Sequence, residues 1–310
     1  VDGGTREVVL LGQNVNSYHD RTAAGGSAAY VPSNPGFSNL YRLREGPGRR
    51  FADLLAAVSD VDPELRVRFT SPHPKDYPPE LLSLMAERDN VCGSLHMPAQ
   101  SGSTATLARM RRGYTREAYL RLIDDARAAV PGVCITSDFI SGFCGETEEE
   151  HRDTLSLIQK VGYDAAYMFA YSLRQKTHAH RRMEDDVAPE VKKRRLAEVM
   201  EAFHDALARK DDAAHARRRA RPWEPASQTE LVLVEGHSKK STPERPQLHG
   251  RSDGNRRVVF DLGEICAAPP RRGDDAGAAT RVVPQAGDYV AVAIQGRVGR
   301  HGMGGQGLWR

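Results

Sequence analysis

Cysteine is scarce in this chain, with four in 310 residues: Cys92, Cys134, Cys144 and Cys266. Their separations of 42, 10 and 122 positions match neither a disulfide framework nor a zinc or iron–sulfur ligand set. Such usage suits a reducing compartment better than a secreted one. No apolar run approaches the roughly 18 residues that a membrane-spanning helix needs, so no membrane partner is expected. The first six residues carry no charged-then-apolar leader, and any targeting segment is expected upstream of them. Net charge is small too, at +3, but it is unevenly spread. Residues 1–188 hold 22 Lys/Arg and 25 Asp/Glu, whereas 189–310 hold 22 and 16. Basic charge is therefore concentrated late in the chain, where it would recruit a polyanion.

Apolar residues at 39% and charged residues at 27% fit a globular protein, and the length suits one large α/β domain with a smaller companion. Strand-like runs at 8–11, 67–70, 94–97, 133–140 and 165–171 alternate with helical patterns at 51–59, 79–88, 104–112, 115–130 and 148–161. Repeated strand-then-helix units argue for parallel strands with helical crossovers, and five strands suit an open or partial barrel. A Gly-, Ser- and Pro-rich stretch at 20–50 reads as a loop insertion. A charged helix is expected over 189–221, with Val191, Leu196, Val199, Phe203 and Leu207 at helical spacing, ended by Pro222 and Pro225. Short β-rich runs at 229–234, 256–260 and 289–294 then predict a small β-barrel, interrupted by a low-complexity loop at 267–279. The expected domains are thus 1–188, the basic linking helix 189–221, and 222–310.

Four strand ends carry polar residues, and in barrel enzymes those ends hold the chemistry. The run DFISGFCGET, residues 138–147, leads from a strand into a helix that Thr147 and Glu150 can cap. Gly142 and Gly145 would let backbone approach a ligand there, though an ordinary strand-to-helix turn has the same pattern. In LHMPAQSGS, residues 95–103, His96, Gln100, Ser101 and Ser103 could hold an amino-acid moiety or ribose hydroxyls, or Gln100 and Ser101 simply satisfy the turn backbone. Gln13 and Asn14 end the first strand, and His73 follows the second. His73 and His96 lack a third metal ligand at recognisable spacing, so hydrogen-bonded histidines are the simpler reading. Two clusters mix cations with aromatics, as nucleic-acid sites do and as solvated faces also do: Arg109, Arg111 and Arg112 with Tyr114, and Arg174, Lys176, Arg181 and Arg182 with Tyr171.

Taken together these segments resemble the MiaB-like tRNA methylthiotransferases. The resemblance runs through residues 3–18, 68–76, 95–103, 110–117, 137–149, 169–177 and 231–236, and it covers the chain except for 20–50 and 264–285. Cys144, where bacterial relatives more often have proline, and the RQKT run at 174–177 resemble the eukaryotic organellar branch. The resemblance implies a radical S-adenosylmethionine (SAM) partial barrel followed by a TRAM-like RNA-binding β-barrel, together about the carboxy-terminal two thirds of such an enzyme. It implies a transferase that adds a methylthio group to carbon 2 of N(6)-isopentenyladenosine beside a tRNA anticodon. Its cofactors would be SAM and two 4Fe–4S clusters, its partners the anticodon stem-loop and an electron donor. A mitochondrial or plastid location would follow, or the cytoplasm in a bacterium.

On that reading Gln13, Asn14, Gln100, Ser101, Asp138, Gly142 and Gly145 form the cofactor and substrate pocket, and no side chain need act as general acid or base. RNA would be held by Arg111, Arg112, Arg174, Lys239, Lys240, Arg251, Arg256 and Arg257. None of the four cysteines sits at a position where the family ligates a cluster. Rival readings are the same family acting on threonylcarbamoyladenosine or on a ribosomal-protein aspartate, and a cluster-less RNA- or protein-binding chain. The expected outcome of anaerobic reconstitution of this 310-residue chain is no stoichiometric iron or sulfide, and one cluster per chain would require ligands that the spacing does not offer.

Overall fold

A strand followed by a helix returns the chain to the same edge direction, so repeated units build a parallel sheet. The computed structural model describes residues 3–22, 36–37, 47–70, 72–74, 77–220, 229–267, 280–298 and 302–309. Most of the expected 20–50 insertion, the greater part of the 267–279 loop, Pro222 and Pro225 lie outside them, as do Ser71, Lys75 and Asp76. Two compact units are present, Glu7–Leu207 and Val1–Arg6 with Ala208–Arg310.

In the larger unit the strands are β1 (Glu7–Leu10), β2 (Arg66–Phe69), β3 (Ser94–His96), β4 (Cys134–Ser141) and β5 (Ala165–Ala170). All pair in parallel: Val8 with Val67, Leu95 with Ile135, and Asp138 with Tyr167. A bridge from Val67 to Val91 joins the two ladders just before β3, so the strands follow one another in chain order. The helices are α1 (Phe51–Ser59), α2 (Pro79–Glu87), α3 (Thr104–Arg109), α4 (Arg116–Ala129), α5 (Glu148–Val161), α6 (His178–Arg182) and α7 (Pro189–Ala220), the last belonging to this unit as far as Leu207. Leu55, Leu81, Leu122, Ile158 and Phe203 from these helices pack with Val67, Leu95, Ile135 and Phe139 from the strands into one core.

Along β4 the side chains alternate. Ile135 and Phe139 join the helix-covered core, which leaves Thr136, Asp138 and Ile140 on the opposite face. A parallel sheet is normally covered on both faces. Here the uncovered face exposes Tyr167 and Phe169 as well, so it is the face available to a ligand.

Sequence spacing located most of these elements within a residue or two, and α1 and α5 have the expected bounds. The turn Val15–Ser17 and α6 were not anticipated, because runs of three and five residues show no period. The capping box is present: the Glu150 amide donates to Thr147 Oγ1 at 3.2 Å, and the Thr147 amide donates to Glu150 Oε2 at 2.9 Å.

The smaller unit holds a closed barrel of β6 (Thr229–His237), β7 (Gln247–Arg251), β8 (Arg257–Asp261), β9 (Tyr289–Val298) and β10 (Gly302–Trp309). Antiparallel pairing runs β8, β7, β6, β9, β10, and a parallel ladder that sets Val258 against Met303 closes β10 onto β8. Val232, Leu248, Phe260, Val290 and Val292 fill the interior. The expectation from sequence omitted β7 and β10, whose glycines read as loop. In a closed barrel those glycines admit a neighbouring strand: a Cβ at Gly250 would run into the Leu233 carbonyl oxygen, and one at Gly305 into that of Ala293. Among the described residues no helix is long and apolar enough to cross a membrane.

The turn from β4 into α5 is held by charge. Gly142 has a left-handed φ of 76°, and its amide donates to Glu146 Oε2 at 2.7 Å. Arg195 of α7, also buried, donates to that same oxygen at 3.1 Å and to the Glu146 carbonyl at 2.8 Å. Burial pushes the Glu146 carboxyl up, against the opposing pull of the Gly142 amide and Arg195. Hydrogen bonds from Arg195 and Arg194 hold the Glu148 carboxyl down at about 2. A carboxyl depressed in the folded state stabilises it above the unfolded pKa of roughly 4.3, and that contribution is lost as pH falls toward the folded value. Glu148→Gln should therefore flatten the acid limb of a melting-temperature profile between about pH 4 and pH 2. Arg195→Met should cost about 3–5 kcal/mol by denaturant unfolding at neutral pH, because it leaves Glu146 buried without its partner.

Candidate active site

The carboxyl ends of β1 to β5 converge on two adjoining cavities. The first, of about 480 Å³, is lined by polar groups from four strand ends, among them Gln13, Asn14, His73, His96, Gln100 and Asp138. The second, of about 550 Å³, is more apolar, with Met110, Ile140, Phe143, Phe169 and Tyr171 beside Arg111, Arg112 and Arg174. Gln100, Arg112 and Asp138 line both cavities. Among the described residues of those linings Asp138 is the one acidic residue, so its carboxylate faces mostly neutral and cationic groups there.

Backbone geometry fixes this wall. β3 ends at His96, yet the segment beyond it stays bonded to β4. Met97 donates to the Thr136 carbonyl at 2.7 Å, Gln100 to that of Asp138 at 2.8 Å, and Ile140 back to that of Gln100 at 2.9 Å. The Ala99 amide donates to Ser137 Oγ at 2.9 Å. Carbonyls that this path leaves over are met by buried tyrosines: Tyr119 donates to Met97 O at 2.7 Å and Tyr114 to Pro98 O at 2.9 Å. Burial pushes both hydroxyls well above their ordinary pKa, so they remain donors across the physiological range. Tyr114 is thus part of the core rather than an aromatic face offered to nucleic acid.

His96 sits against Asp138, with Nε2 3.4 Å from Oδ2, while its Nδ1 lies 2.8 Å from Thr136 Oγ1. Among the described residues no group of three or more His, Cys, Asp or Glu is placed to hold a metal. Asn16, on the turn after β1, reaches the loop after β2: its Nδ2 donates to His73 O at 2.9 Å and its Oδ1 accepts from the His73 amide at 2.8 Å. Sequence reasoning missed that clamp, for which only the polar run at 12–17 gave any signal.

Not every expected pocket residue meets the cavities. Ser101 is buried beneath the turn, with Oγ 3.2 Å from Thr154 Oγ1 and accepting from the Ser103 amide. Gly142 and Gly145 shape the β4–α5 turn and line neither cavity; the Gly145 amide donates to Asp186 Oδ1 at 2.7 Å. Arg109 borders the second cavity, but its guanidinium is held bidentately by Glu150 at 2.8 and 2.6 Å. Tyr171 lies under the Lys192 ammonium, and its hydroxyl is pushed up to about 12 by desolvation and by Cys144.

Of the basic residues expected to hold RNA, Arg111 and Arg174 are exposed at the rim of the second cavity. In the barrel unit Lys239 and Lys240 are exposed after β6, whereas Arg251 pairs with Glu235 at 3.0 Å and Arg256 with Asp211 at 2.9 Å. Arg257 has a buried Nε with no hydrogen-bond partner among the described residues.

With this geometry in hand, the chain can be set beside known proteins. It is 49% identical over 293 residues to the mitochondrial tRNA methylthiotransferase CDK5RAP1 of Homo sapiens, covering 94% of this chain and 45% of that protein. It is 50% identical over 296 residues to a CDK5RAP1-like protein of Oryza sativa subsp. japonica, again covering 94% and 45%. A tRNA-2-methylthio-N(6)-dimethylallyladenosine synthase of Chlorobium phaeobacteroides is 44% identical over 262 residues, which are 84% of this chain and 51% of that enzyme. The chain thus spans about half the length of the curated relatives it matches, less than the two thirds expected. The model of the radical SAM superfamily matches residues 1–158, half of the chain and four of the five parallel strands, and the protein belongs to that superfamily.

Proposed function

We propose that this protein is the part of a radical SAM tRNA methylthiotransferase that binds SAM and receives the target nucleoside, N(6)-isopentenyladenosine next to the anticodon. The observation that carries this reading is the pair of adjoining cavities at the strand ends, sharing Gln100, Arg112 and Asp138. Their volumes fall in the range of small-molecule sites, and two compartments with one common wall suit a reaction that brings two nucleosides together. The aromatic and apolar lining of the second cavity suits a purine, and the carboxylate of Asp138, beside His96, suits a hydroxyl or a cationic group.

Carbon 2 of adenine is an unactivated C–H position, and SAM, when bound and reductively cleaved, supplies an oxidant strong enough for it. The cysteines of this chain do not fit the ligand set of a 4Fe–4S cluster. Cys92 and Cys144 are buried on separate elements, Cys134 begins β4 at the end away from the cavities, and Cys266 belongs to the other unit. This chain's own share of the work is to bind, orient and exclude water. The β3–β4 wall holds Gln100 and Asp138 at fixed positions, and Arg111, Arg112 and Arg174 supply positive charge where phosphates would enter.

The closed barrel, read as TRAM-like, would hold the tRNA through phosphate contacts, with Lys239 and Lys240 as its exposed cations. An organellar and specifically mitochondrial location agrees with the resemblance, as do an anticodon stem-loop substrate and a separate electron donor.

In the full-length enzyme, Asp138→Ala and Gln100→Ala should lower 5′-deoxyadenosine formation and methylthiolation on the order of 100-fold, while tRNA affinity and melting temperature stay near wild type. Unchanged turnover would remove both residues from the site. Conversely, Lys239→Glu with Lys240→Glu should weaken tRNA binding and reduce its salt slope by roughly 2, leaving SAM affinity unchanged. An unaltered slope would exclude the barrel as the RNA clamp.

A further inference from the structure

Gln100 is an unusual residue to find where it is. Its φ is 66°, in the left-handed region that costs a side chain bearing a Cβ. Its backbone is held there from both sides, donating to Asp138 O and accepting from the Ile140 amide. The residue is only 7% exposed, yet its side-chain amide has no hydrogen-bond partner among the described residues. An amide that reaches a cavity without a protein partner is open to a ligand, and here it sits on an unfavourable backbone. The same side chain borders both cavities. A strained backbone and a partnerless amide at one cavity-lining position point to a ligand that the amide contacts.

A primary amide presents one acceptor and one donor side by side. The complementary edge is an exocyclic N–H next to a ring nitrogen lone pair, which adenine has at N6 with N1 or N7. An adenine with a single N6 substituent keeps one such N–H. The neighbouring surface suits a flat ring, since Ile140, Phe143 and Phe169 line the second cavity. We propose that Gln100 reads the N6 edge of an adenine through a bidentate amide contact. This inference rests on the proposed function, which brings two adenine-bearing molecules to this wall, SAM and the target nucleoside; either supplies the edge described.

The test uses the full-length enzyme and measures equilibrium binding in two arms. One compares SAM with its analogue carrying purine in place of adenine. The other compares anticodon stem-loops with adenosine or purine at the target position. Purine lacks the exocyclic amine but keeps the ring nitrogens and the shape. Wild type should prefer adenine over purine by roughly 5- to 150-fold in one arm, and Gln100→Met, similar in size but without the amide, should abolish that preference. The arm in which it disappears identifies which adenine Gln100 reads. Gln100→Gly, which suits the left-handed φ, should keep the loop and also lose the preference, so a folding defect in Gln100→Met does not decide the result. If wild type binds SAM and RNA with no adenine preference in either arm, or both variants keep the preference, the inference is overturned. If wild type binds neither SAM nor RNA, the proposed function fails instead.

Discussion

The seam between the end of β3 and the middle of β4 is the constraint on which the site depends. Parallel strands leave backbone groups without partners where one strand stops and its neighbour continues, and buried groups of that kind must be satisfied. Here the 97–100 segment keeps bonding to β4 after β3 has formally ended, and Tyr114 and Tyr119 take up the carbonyls that remain. The outcome is a loop with the precision of a strand. Gln100 and Asp138 are placed by main-chain hydrogen bonds, and their side chains border the cavities, that of Asp138 beside His96.

Charge governs the region around that seam in two different ways. Inside the turn from β4 to α5, cations and carboxylates are matched: Arg109 with Glu150, and Arg195 with Glu146 and Glu148. These pairs are spent on architecture, and they draw the first half of α7 onto the turn. At the cavity rim the balance differs: among the described lining residues Arg111, Arg112 and Arg174 face a single carboxylate, Asp138. An uncompensated positive rim above an aromatic pocket favours an anionic ligand with a planar group, a description that fits a nucleotide. The barrel unit divides its cations in the same way, since Arg251 and Arg256 are paired while Lys239 and Lys240 are exposed.

Much of this was legible in the sequence, for reasons that follow element by element. β4 and α5 were legible because an eight-residue strand with alternating burial and a 14-residue helix with a capping box are long enough for local periodicity to dominate. β10 was not, because a run of four glycines in eight residues has no pattern of its own and becomes a strand only when β8 and β9 approach it. That Gln13, Asn14, Gln100 and Asp138 line one cavity was legible, since polar groups at strand ends gather on one side of any parallel sheet. Ser101, one position from Gln100, points the other way, into Thr154, and a one-residue difference in facing is invisible without the backbone.

Sequence by itself determined the order of strands and helices, the caps, the polar strand ends, and the family whose motifs the chain carries. Those properties are encoded in neighbouring residues, so short-range physics suffices to read them. Only the tertiary structure decided which arginines are committed to ion pairs and which face the cavities, that two tyrosines secure the 97–99 carbonyls, and that Gln100 is held in a left-handed conformation with its amide free. Each of these depends on partners between 15 and 49 residues away, and whether a polar group is satisfied is fixed only when the chain brings such partners together.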